Sequence, residues 1–103
     1  IARFGGDEFV AVVPGVLEAK TIAALAAKTL KAIQRPCVFP EHGVTLTVTA
    51  SIGIACYDGG ETTPSQLVAE ADALLYTAKE RGRNNFCVAA WPRRAHSAAA
   101  SIA

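Results

Sequence analysis

The sequence predicts an α/β sandwich containing an antiparallel hairpin, on three observations. Strand-like runs alternate with two stretches of helical period, in the order strand, strand, helix, strand, helix, strand. The first two apolar runs flank a Gly-Gly turn, the mark of a hairpin. The chain has 103 residues, 51% hydrophobic and 18% charged, which suits one small packed domain and not a disordered composition.

Each element has a local reason. Ile1 to Phe4 and Phe9 to Val13 are the hairpin strands, and Pro14-Gly15 is expected to break the second. Leu17 to Gln34 predicts a helix, because Ile22, Leu25, Ala26, Thr29, Leu30 and Ile33 fall on one face and alanine favours helix. Pro36 ends it, since a residue before proline avoids helical backbone. Cys37 to Pro40 reads as a short edge strand and Glu41-His42-Gly43 as a turn. Val44 to Cys56 alternates valine, leucine and isoleucine with threonine and serine, which predicts one long strand. Gly53 within it marks a bulge or a close approach.

Thr63-Pro64-Ser65-Gln66 opens the second helix with a capping residue, a proline in the first turn and a capping-box glutamine. Leu67, Ala71, Leu74, Leu75 and Ala78 form its apolar stripe, and Gly82 is placed to end it in a left-handed conformation. Asn84 to Ala89 reads as the last strand. Pro92 to Ala103 holds mostly small residues with Arg93, Arg94 and His96, too few large apolar groups to offset ordering entropy. The expected organisation is therefore a domain at 1–91 and a disordered tail or linker at 92–103.

Composition narrows the function. A net charge of +1 without a basic run gives no nucleic-acid surface. No apolar stretch has transmembrane length, and no signal-peptide pattern occurs. Cys37, Cys56 and Cys87 are far apart and lack metal-ligand spacing, so reduced, mostly buried thiols in a cytoplasmic domain are expected. The absence of methionine, and a start inside a strand, read as a fragment of a longer chain.

Two segments carry chemistry. In Arg3-Phe4-Gly5-Gly6-Asp7-Glu8-Phe9 the glycines permit positive φ and a close ligand approach. The two adjacent acids repel unless a cation joins them, so the tip is either a solvated surface turn or a divalent-metal site. Lys79 and Arg83 straddle the end of the second helix, where they either bind polyphosphate or balance the helix dipole. Phe9 and Tyr76 read as core residues, and Arg3 as a partner for an acid.

The heptapeptide resembles the signature of the GGDEF domain, the diguanylate cyclase family. Ala50-Ser51-Ile52-Gly53-Ile54-Ala55 is similar to the family's Ser-Ile-Gly strand. The run from Ala71-Asp72 through Leu75-Tyr76 and Ala78-Lys79 to Gly82-Arg83-Asn84 resembles its helix motif. The resemblance covers residues 1 to 90 or so. It implies a nucleotidyl-cyclase-like fold, a ferredoxin-like βαββαβ derivative with antiparallel strands in its central sheet, truncated here at the N-terminal side. It implies condensation of two GTP into cyclic di-GMP by the full-length parent. Asp7 and Glu8 would be catalytic and would hold Mg2+ or Mn2+. Gly5 and Gly6 would lie against the nucleotide, and Lys79 and Arg83 would bind its phosphates. Asp72 would be structural, bonded to an arginine or to backbone.

The resemblance also implies a homodimer in which each GTP attacks the other, with no nucleic acid and no membrane contact by this segment. Sensory or phosphodiesterase domains would sit elsewhere in the parent. The implied location is cytoplasmic, including the cytoplasmic part of a membrane-anchored parent. Another metal-binding aspartate and the guanine-binding helices fall outside this chain, so the fragment alone is expected to be inactive. Loss of a central strand is expected to expose sheet edges that aggregate or pair with another chain. The alternative is a degenerate GGDEF domain acting as a GTP- or cyclic-di-GMP-binding regulatory module.

Overall fold

A computed structural model describes residues 1–92 and 95–103, without the side chains of Val16 and Leu17. Arg93 and Arg94 of the expected tail lie outside the described residues. The elements in chain order are β1 (Ala2–Gly5), β2 (Glu8–Leu17), α1 (Ala19–Ile33), β3 (Cys37–Phe39), a 3-10 turn (Pro40–His42), β4 (Val44–Leu46), β5 (Ile52–Tyr57), α2 (Pro64–Glu80), β6 (Phe86–Val88) and β7 (Ala95–Ile102). Five strands form one sheet in the order β1-β2-β7-β5-β6, and β3-β4 form a separate two-stranded sheet.

The expected first hairpin is present. Gly5 pairs with Glu8 around the turn, with φ of 141° at Gly5 and 52° at Gly6. Both angles are ones that side chains other than glycine rarely adopt. Arg3 does not meet an acid here; its Nε donates to the Gly6 carbonyl at 3.0 Å and clamps the turn. Strand β2 runs through Pro14 to Leu17 with an irregularity between those residues, where a break was expected. β1 pairs with β2 only as far as Val10, so among the described residues one side of β2 has no strand neighbour at Pro14. A residue without an N–H is tolerated there.

Helix α2 follows its local signals closely. The Thr63 hydroxyl accepts from the Gln66 N–H and the Gln66 side chain accepts from the Thr63 N–H, a reciprocal capping box. At the other end the Gly82 N–H donates to the Lys79 carbonyl and the Arg83 N–H to the Ala78 carbonyl, a Schellman pair closed by Gly82 at φ 111°.

Val44 to Cys56 is not one strand. β4 pairs with β3, β5 enters the main sheet, and residues 47–51 between them are irregular. Alternation persists through the joint, but a single straight strand cannot serve two separate sheets. Val44, Leu46 and Val48 are consequently exposed, whereas Ala50, Ile52 and Ile54 are buried.

The expected tail contains the largest departure. Residues 95–102 form β7, antiparallel to both β2 and β5 at the centre of the sheet. Alternate residues of the sheet face opposite helices. Ile52, Ile54, Ala98 and Ala100 cluster with Ile22, Ala26 and Leu30 of α1. Gly53 lies under α2, where an added Cβ would come within 2.1 Å of the Ala71 carbonyl oxygen and the Leu75 nitrogen. On that same face the Ser101 hydroxyl donates to Asp72. β7 thus has a neighbour on each edge and a helix on each face. Ladder hydrogen bonds and close helix approach order it without large side chains. The thiols are free, but Cys37 is exposed, Cys56 half-buried and only Cys87 buried. Cys37 departs from the expected burial because its strand belongs to the outlying hairpin.

Candidate active site

The hairpin tip meets α2 through Glu8. Glu8 is the first residue of β2 and shares its face with Val10, which pairs with Ser101 under α2. Along α2, Asp72, Leu75, Tyr76 and Lys79 follow the helical repeat and form one stripe. Glu8 and these four line an open groove of about 270 Å3. A second groove of about 400 Å3, between Phe4 and the start of α2 at Pro64, Ser65, Val68 and Ala69, meets it at Asp72.

The charges in the first groove are coupled. A hydrogen bond shared with Asp72 holds the Glu8 carboxyl above the usual glutamate range, helped by the negative charge of Asp72 and partial burial. Lys79 pulls in the opposite direction, and Asp7 adds a weak upward push. The Ser101 hydroxyl fixes Asp72 from the sheet side. The carboxyl pair therefore holds an excess of negative charge beside one ammonium.

The expected site residues divide between the two faces. Glu8 and Lys79 come together as anticipated. Asp7 precedes β2 by one residue and lines an apolar groove of about 670 Å3 on the other face, with Phe9, Thr29, Ile33 and Val48 among its walls. Neighbouring residues at a strand start point to opposite faces, which separates the two acids. Gly5 and Gly6 have nothing within 4 Å of an added Cβ, so protein packing leaves their outer side open to a ligand. Arg83 sits at φ 61° in the loop after α2, and its neighbour Asn84 accepts from the Gln34 amide at the end of α1. It does not line the Glu8 groove.

Sequence reasoning missed two contributors. Asp72 is a groove residue as well as a structural one, and Tyr76 is 65% exposed on the groove wall where core was expected. Their signal was helical spacing, because both fall on the stripe of Lys79. Phe9 is likewise partly exposed, facing the apolar groove.

Residues 1–85 match the family model described as diguanylate cyclase, GGDEF domain. The chain belongs to the GGDEF family. Three curated proteins show its similarity to other members. The chain is 45% identical over 87 residues to the bifunctional diguanylate cyclase/cyclic di-GMP phosphodiesterase MucR of Pseudomonas aeruginosa, covering 84% of this chain and 12% of that protein. It is 39% identical over 90 residues to diguanylate cyclase DgcP of the same organism, covering 86% and 13%. It is 36% identical over 86 residues to the uncharacterized protein YhcK of Bacillus subtilis, covering 84% and 24%. The chain thus spans a quarter or less of the length of these relatives. No solved structure matches it. The mixed α/β sheet with α1 and α2 agrees with a partial GGDEF, nucleotidyl-cyclase-like fold. Among the described residues, no helix is long and apolar enough to cross a membrane.

The groove's donors suit a hard divalent cation. Carboxylate oxygens are the ligands Mg2+ takes, and it commonly uses one or two of them together with water and phosphate oxygens. Among the described residues no group of three or more His, Cys, Asp or Glu is placed to hold a metal ion. Glu8 and Asp72 are the groove residues that could supply such carboxylate oxygens.

Proposed function

We propose that this chain is the metal- and phosphate-handling part of a diguanylate cyclase domain, acting on GTP chelated by Mg2+ or Mn2+. The observation that carries this reading is the convergence of Glu8, Asp72 and Lys79 in one groove beside the Gly5-Gly6 turn. Glu8 would hold the metal, oriented by Asp72, and no share of it falls to Asp7, which lines the groove on the other face. The metal would neutralise the triphosphate and acidify the attacking hydroxyl. Gly5 and Gly6 would let backbone approach the phosphates. Lys79 would bind a phosphate oxygen as a point charge, and Arg83 would reach the chain end from the loop beyond α2.

The full reaction would need a second subunit and residues outside this chain, in a parent that also carries sensory or phosphodiesterase domains in the cytoplasm. The chain alone would bind nucleotide and make no cyclic di-GMP. Calorimetric titration of the chain with GTP and Mn2+, with chromatography for product, tests this. Metal-dependent binding is expected, abolished by Glu8→Gln and weakened about tenfold by Lys79→Ala, a loss of ~1.4 kcal/mol. Metal-independent binding of cyclic di-GMP, unaffected by Glu8→Gln, would instead favour a regulatory module. No nucleotide binding under either condition would sink both readings.

A further inference from the structure

A buried hydroxyl stands under the Glu8 groove. Ser101 has none of its surface exposed, and it follows the buried alanines Ala98, Ala99 and Ala100 along β7. A hydroxyl taken out of water among such neighbours is costly unless it is bonded. It donates to Oδ1 of Asp72, one of the residues that line the groove. Among the described residues no lysine or arginine forms an ion pair with Asp72. Asp72 in turn borders the groove together with Glu8 and shares a hydrogen bond with it. The three side chains form one chain of contacts from the middle of the sheet to the open groove.

The inner end of that chain is fixed by backbone. Ser101 has a register partner on each side, Val10 of β2 and Gly53 of β5. Helix α2 lies close over the same row, because an added Cβ at Gly53 would come within 2.1 Å of the Ala71 carbonyl oxygen. The outer end has less to hold it: Glu8 is the first residue of its strand, next to a turn with open space around Gly5 and Gly6. We propose that Ser101 is a positioning residue for the groove, its hydroxyl holding the Asp72 carboxylate in one orientation so that Asp72 can orient Glu8. This rests on the reading of the groove as the metal and phosphate site. A carboxylate held in advance loses less freedom when a ligand arrives, so the held form binds more tightly. Ser101 lies beyond residues 1–85, the segment that carries the family match, so the motif residues do not by themselves account for how Glu8 is held.

The experiment has two readouts, and the first needs no ligand. NMR couplings from Asp72 Cγ to its own backbone nitrogen and carbonyl carbon, on the isotope-labelled chain, report its χ1 rotamer. Values of a single staggered rotamer are expected in the unsubstituted chain, and averaged values in Ser101→Ala. The second readout is calorimetric affinity for GTP with Mn2+, expected to fall about tenfold in Ser101→Ala. Ala98→Gly is the control, because Ala98 lies in the same strand but clusters with α1. It is expected to lower the unfolding midpoint and leave both readouts unchanged, which separates positioning from stability. Ser101→Cys keeps a similar bulk with a poor donor and carries the same measurements if Ser101→Ala does not fold. A single Asp72 rotamer retained in the folded variant would overturn the proposal. So would an Asp72 freed with no loss of affinity, or one freed equally by Ala98→Gly. If Ser101→Ala frees Asp72 but GTP with Mn2+ does not bind even to the unsubstituted chain, the hold on Asp72 is borne out and the reading of the groove fails.

Discussion

The hydrogen bond and negative charge of Asp72 raise the Glu8 carboxyl above its ordinary range, so a proton competes there with any metal. Because the Glu8 carboxyl titrates above its ordinary range in the fold, the native state binds more protons than the unfolded chain just above that range. The stability of the metal-free chain therefore falls as pH rises through the window between the ordinary and the raised value. Over the same window, affinity for Mn2+ is expected to rise, since the proton competes with the metal. Asp72→Asn should flatten the pH dependence by removing the neighbouring charge; calorimetric Mn2+ titrations at several pH values check both statements. A second residue-scale expectation concerns Gly53. With α2 backbone atoms 2.1 Å from the position of an added Cβ, Gly53→Ala must push the helix off the sheet. It should cost ~3 kcal/mol or more, read from denaturant midpoints.

At the scale of elements, legibility tracked how local the information was. The ends of α2 were readable because Thr63, Pro64, Gln66 and Gly82 act within a few residues of where they stand. Thr63→Ala removes the cap and should cost about 1 kcal/mol in thermal or denaturant unfolding. The Gly5-Gly6 hairpin was legible for the same reason. β7 was not: a run of alanine and serine becomes a strand only because β2 and β5 offer edges and the helices cover both its faces. The division between β4 and β5 was hidden too, since period-two alternation records which way side chains point and not which sheet receives them. In the groove, Lys79 and Glu8 were legible from the motifs. The opposed placement of Asp7 and the exposure of Tyr76 depend on the packing of α2 against the hairpin.

For the molecule as a whole, the sheet is completed by its least bulky strand, and the core records this as unfilled space. Ala100 borders the apolar cavity under α1. Ala100→Val would add two carbons there and should stabilise the chain by ~1 kcal/mol, with a matching rise in denaturant midpoint. A loss instead would mean that the walls cannot accommodate the branched side chain. The same architecture explains the outlying β3-β4 hairpin, whose Val38, Phe39, Val44 and Leu46 are exposed because it pairs only with itself.

That outlying hairpin carries Cys37 into solvent, while Cys87 is buried and Cys56 is half-covered, its thiol pushed up by desolvation and by the nearby Glu70 and Asp58 carboxylates. Reaction with a maleimide follows thiolate access. The folded chain should consume one equivalent quickly and the remaining two only as it opens. Its three sulfur atoms thus form a built-in gauge of folding, readable by mass alone, and a fluorophore on Cys37 would leave the Glu8 groove untouched.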